Sequence, residues 1–92
     1  MGETVKIKNK KNTSGDEAPD GSSWKDYWKK EKNIEWPKKC CIKDCNKKAE
    51  VGAHVYKIKD KNKIYIVPMC KDCNNASNDK EMKVDENYLL EI

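Results

Sequence analysis

Five cysteines fall in two short clusters, Cys40-Cys41 with Cys45 and Cys70-x-x-Cys73, separated by a stretch long enough for one hairpin. An odd number of thiols cannot pair off completely, and this spacing favours metal ligands over two disulfides and a spare thiol. Compartment points the same way. The start Met1-Gly2-Glu3-Thr4 has no apolar stretch of the kind a signal peptide carries, and no apolar run approaches the roughly 18 residues that cross a bilayer. The expected location is cytoplasmic, with no membrane partner, and cytosolic thiols stay reduced.

A staple is also what the composition demands. The chain has 92 residues, 39% of them charged and 36% hydrophobic, which allows one small domain with little apolar core. Four thiolates around one zinc ion supply such a staple, because tetrahedral zinc takes soft ligands at about 2.3 Å and two short cysteine pairs can reach it together. Cys70 and Cys73 form one pair, expected at the first turn of a short exposed helix running to about Asp79, where backbone N–H groups favour thiolates. Cys45 belongs to the other pair. Its partner is Cys40 or Cys41, a choice that spacing leaves open.

Residues 1–22 hold Lys6, Lys8, Lys10 and Lys11 and little that is apolar beyond Val5 and Ile7, so they read as a disordered basic arm. At Ser23 the pattern changes. Ser23-x-x-Asp26 has capping-box spacing and Trp24, Tyr27 and Trp28 share one helical face, predicting an amphipathic helix from about 23 to 33 that Pro37 forbids from continuing. The β-branched and aromatic stretches at 51–59 and 64–67, with a turn-like 60–63 between them and Pro68 ending the second, predict a β-hairpin. The tail from Met82 to Ile92 is expected to be extended and to return to the core. The expected architecture is α+β, a zinc-bound treble clef (knuckle, hairpin, helix) over residues 23–92 with an N-terminal amphipathic helix packed on it.

Val51-Gly52-Ala53-His54-Val55, followed by Tyr65-Ile66-Val67-Pro68-Met69-Cys70-x-x-Cys73-Asn74-Asn75, resembles the core of HNH-type endonucleases and their treble-clef relatives. The longer stretch from Ser23-Trp24-Lys25-Asp26-Tyr27-Trp28 through Trp36-Pro37 is similar to a group of small zinc-binding bacterial proteins. In that group the first pair resembles Cys-x4-Cys, which implies Cys40 with Cys45. The HNH resemblance implies His54 as the general base for water attacking a phosphodiester and Asn74 as one ligand of a catalytic magnesium ion. Ala53 departs from the pattern, since it stands where those enzymes carry a metal-binding Asp or His, and alanine cannot hold a cation.

All 20 basic residues are lysines, set against 16 acids for a formal charge of +4. Lysine is a point charge without the planar fork that reads a guanine edge, so any nucleic-acid contact is expected to be sequence-nonspecific. The functional expectation is a monomeric zinc-binding module that binds nucleic acid through lysine contacts to phosphate. Two rivals stand beside it: a magnesium-dependent HNH-type nuclease using His54 and Asn74, and a module that docks a protein partner on the Trp24, Tyr27, Trp28 and Trp36 face.

Overall fold

The computed structural model describes residues 3–10, 23–75, 78 and 80–92. Its centre is a five-stranded antiparallel sheet of β1 (Thr4–Asn9), β2 (Val51–Lys57), β3 (Asp60–Met69), β4 (Met82–Asp85) and β5 (Leu90–Glu91), in the order β4-β1-β2-β3-β5. One helix, α1 (Trp24–Lys32), lies against it, and a 3-10 turn at Glu86–Tyr88 joins β4 to β5. The fold is therefore α+β.

Strand β1 corrects the expectation of a disordered arm, because Thr4–Asn9 sit between β4 and β2 in the sheet. Val5 and Ile7 face Val84 and Met82 across β4, and Ile7 is fully buried. Two apolar side chains suffice here because the partners on both sides complete the ladder. Residues 11–22 of the expected arm lie outside the described residues.

The helix falls where its signals place it, although β1 precedes it. Ser23 is the N-cap, its hydroxyl accepting the Asp26 N–H at 3.1 Å, and Asn33 closes the helix in the left-handed region at φ 56°. Lys29, Lys30 and Lys32 occupy the last turn, where positive charge complements the helix dipole. Trp28 is fully buried and donates its indole N–H to the Tyr88 carbonyl at 2.9 Å. Trp24 lies so close to β2 that a Cβ added at Gly52 would meet the Trp24 Cβ at 2.9 Å and its backbone carbon at 3.1 Å. Glycine is needed there because the helix backbone rests on the strand.

The hairpin of β2 and β3 is shifted from its expected position. Lys57 pairs with Asp60, so residues 58–59 make the turn and 60–63 begin β3 instead of linking the strands. The register slips between Val55 and Lys57, which absorbs the difference. Pro68 lies inside β3 opposite Gly52 and does not end the strand. Its missing N–H is tolerated because β5 pairs only with Tyr65 and Ile66, leaving Pro68 at an edge.

Side chains alternate across this sheet. Ile7, Ala53, Val55, Tyr65, Val67, Met69, Met82 and Val84 form one core cluster with Cys40, Ile42 and Cys70, while His54 on the other face meets Trp24 of α1. Residues 38–49 fold into a small hairpin-like knuckle, with Lys39 bridging Lys48 and the Cys40 N–H bonded to the Lys47 carbonyl at 2.8 Å. The knuckle reaches both margins of the sheet. The Cys41 N–H bonds the Pro68 carbonyl on β3 at 3.1 Å, and the Lys43 N–H bonds the Lys83 carbonyl on β4 at 2.8 Å. The sheet is thus curled, and the knuckle clasps its two sides.

The expected helix after Cys70 is a second correction. Residues 71–74 form turns, and among the described residues no helix follows them; 76, 77 and 79 lie outside that set. Asn78 donates its side-chain N–H to the Cys73 carbonyl at 2.9 Å, a local bond that competes with continuing a helix.

Candidate metal centre

The knuckle carries Cys40 and Cys45, and the turn after β3 carries Cys70 and Cys73. Asp44 holds the left-handed region at φ 66°, turning the chain so that the Cys45 N–H reaches the Ile42 carbonyl at 3.1 Å. In the second loop the Cys73 N–H donates to the Cys70 sulfur at 3.3 Å and the Asn74 N–H to the Cys70 carbonyl at 3.1 Å. Asn9 of β1 donates to the Cys73 carbonyl at 2.7 Å, so the loop is tied to the middle of the sheet.

The four sulfur atoms of Cys40, Cys45, Cys70 and Cys73 all lie within 4.8 Å of one another. Cys45 is 3.6 Å from Cys70 and 3.7 Å from Cys73, too far for covalent bonds, and all five cysteines are free thiols. A tetrahedron with metal–sulfur bonds of about 2.3 Å has sulfur–sulfur edges of about 3.8 Å. The donor set therefore fits one tetrahedral ion, with zinc as the expected metal. Cys40 and Cys70 are buried, and Cys45 and Cys73 are half-buried.

The thiols resist ionising together. Burial pushes Cys40 up to about 11 and drives Cys73 upward too, where hydrogen bonding to Cys70 adds to the rise. Burial also opposes ionisation of Cys70, but the Cys73 backbone N–H and hydrogen bonds from Cys73, Cys45 and Cys40 outweigh it, so its net shift is downward. One thiolate is hosted by its three neighbours. A divalent cation supplies the charge that allows all four to lose their protons.

Cys41 is the fifth thiol and stands outside the cluster, packed against the edge of the core. Burial, with the nearby Cys40 and Asp85, pushes it up to about 12. Of the two alternatives for the partner of Cys45, the geometry brings Cys40 to the centre.

His54 lies on the sheet face opposite the cysteine cluster. Ala53 and Val55 point into the core cluster, so His54 between them projects from the opposite face, 8% exposed, with its ring 4.7 Å from that of Trp24 and perpendicular to it. Asn74 follows Cys73 in the metal-side loop. Ala53 is 1% exposed within the core, and Asp72 is engaged by Lys47 in an ion pair linking the two loops at the surface. Of the four rings Trp28 is buried and Trp24, Tyr27 and Trp36 are half-buried; Trp36 stands edge-on to Trp28 and donates to the Ala49 carbonyl at 2.9 Å. Asn9 and Asn78, which hold the second loop, carry no motif by which spacing alone would have found them.

Among the described residues no helix is long and apolar enough to cross a membrane. No protein-family model matches the chain, and neither curated proteins nor solved structures give a match.

Proposed function

We propose that the chain is a small domain organised by one structural zinc ion, and that it binds nucleic acid through lysine contacts to phosphate. The convergence of four sulfurs from the knuckle and the post-hairpin loop carries the first half of this reading. With four protein ligands the ion has no open position for substrate, which favours a structural role over a catalytic one. The order of knuckle, hairpin and second pair supports a treble-clef-like centre in which a turn stands where the helix is usual.

The partner is argued from charge. Twenty lysines and no arginine give a surface suited to phosphate without base reading, and Lys38, Lys39, Lys43, Lys48 and Lys71 are exposed around the metal loops. The packing of His54 against Trp24, with Ala53 beside it in the core, speaks against the nuclease alternative, and internal use of the Trp28 and Trp36 rings speaks against the protein-docking one.

Elemental analysis of protein purified under reducing conditions is expected to find one zinc per chain, and none in Cys73→Ser. Labelled DNA and RNA should bind at about 50 mM salt and dissociate steeply as salt rises. Folded, metal-free wild type would overturn the zinc assignment, and undetectable binding at low salt would overturn the nucleic-acid assignment.

A further inference from the structure

We infer that the outer face of β4, β1 and β2 is a platform for single-stranded nucleic acid, with Lys83, Lys6 and Lys8 meeting phosphates and Tyr56 stacking on a base. This rests on the nucleic-acid reading above and gives it a place and a substrate class.

Strand register builds the platform. Val5, Ile7, Val55, Met82 and Val84 point toward the core, so the residues between them point outward. Lys6 then stands directly opposite Lys83, and Lys8 directly opposite Tyr56. Lys6 and Lys83 are exposed, and Lys8 and Tyr56 are half-buried. Helix α1 packs against β2, β3 and β5, meeting β2 at Gly52 and His54, before Tyr56. Asp85 shares the platform's far end, opposite Thr4, where its carboxylate accepts the Asn87 N–H at 2.9 Å.

Two like charges placed directly across a ladder destabilise the pair of strands that carry them. Among the described residues neither the Lys6 nor the Lys83 ammonium is in an ion pair, although Glu81 shares a cavity lining with Lys6 and Asp85 shares the outward face with Lys83. A local arrangement that works against the fold is the kind retained for a ligand, and the complementary ligand of a lysine row is a polyanion. The ring in the row selects the form. A flat ring on a sheet face can stack an unpaired base while neighbouring cations follow the backbone, the arrangement that single strands use.

Fluorescence anisotropy on the zinc-loaded protein, with labelled 12-mers of uridine and of thymidine and a 12-base-pair DNA duplex at about 50 mM salt, tests this. One or both single strands should bind at least tenfold tighter than the duplex, and the two arms tell RNA from DNA. Tyr56→Ala should weaken single-strand binding about tenfold, while Tyr56→Phe should retain it. Lys6→Glu should weaken binding and lower the salt slope, yet raise the thermal midpoint, because it sets opposite charges across from Lys83. A purely structural lysine would not move those readouts in opposite directions. Duplex bound as tightly as single strands overturns the inference. So does wild-type affinity in both Tyr56→Ala and Lys6→Glu when Lys39→Glu or Lys48→Glu, on the metal loops, abolishes binding; that result leaves the broader nucleic-acid reading standing. Failure of the wild type to bind any of the three overturns both.

Discussion

The two faces of the sheet are held in different ways. On one face, α1 brings its own caps, a buried indole and a close seat on Gly52, all supplied by the chain itself. On the other, two loops without regular structure meet at four thiols, and burial holds Cys40 and Cys73 protonated in the absence of a cation. The first face is held by the helix, and the second combines the apolar core of the sheet with four thiols positioned for one metal ion. A small, highly charged chain can thus complete a domain without a large apolar core.

Metal removal should split the two faces most widely. Zinc contributes about 10 to 16 kcal/mol of apparent free energy in small sites at neutral pH, as much as a domain's whole stability. A strong chelator or Cys73→Ser is expected to unfold the domain, monitored by circular dichroism, with hydrogen exchange rising first in residues 38–50 and 70–75. Simultaneous exchange in α1 would mean that the faces are one cooperative unit.

Trp28→Ala probes the opposite side and should cost about 3 to 5 kcal/mol in denaturant unfolding while metal stoichiometry stays at one. Loss of zinc in that variant would erase the distinction. Gly52→Ala drives a methyl into the Trp24 backbone and should cost about 1 to 3 kcal/mol, again without loss of metal.

The smallest effect concerns Cys41. Its thiol lies up at about 12, above the reference value of 9.0, so the stability it contributes is fully present below pH 9 and is lost as pH rises toward 12. In the zinc-loaded protein it should therefore resist iodoacetamide at pH 8, with about a thousandfold less thiolate than an ordinary cysteine, as read by mass spectrometry. Rapid alkylation of Cys41 in folded protein would show that the knuckle is not packed as described.

The parts of this molecule that were legible in the sequence are those whose causes are local. Ser23 and Asp26 announce a helix start, the β-branched run after Val51 announces a strand, and the cysteine spacings announce a shared ligand. Strand β1 was hidden because its partners, residues 51–57 and 82–85, are distant in sequence and its two apolar side chains are diluted by lysines. The turn after Cys70 was hidden because the Asn9 side chain that holds the Cys73 carbonyl comes from a strand distant in sequence. Pro68 reads as a stop because nothing local reveals that its edge is left to the knuckle. At the metal centre, spacing identified the second pair and Cys45, while the choice of Cys40 over Cys41 came from resemblance and matches the sulfur geometry.

The clasp between residues 41–43 and the rims of β3 and β4 bears on how this chain behaves when zinc is scarce. Each of those rims is a row of amide and carbonyl groups that would otherwise be free to recruit a strand from a neighbouring molecule. Losing the ion is expected to loosen the very segment that occupies them, so metal starvation should leave both borders sticky, with self-association the expected fate of the apoprotein.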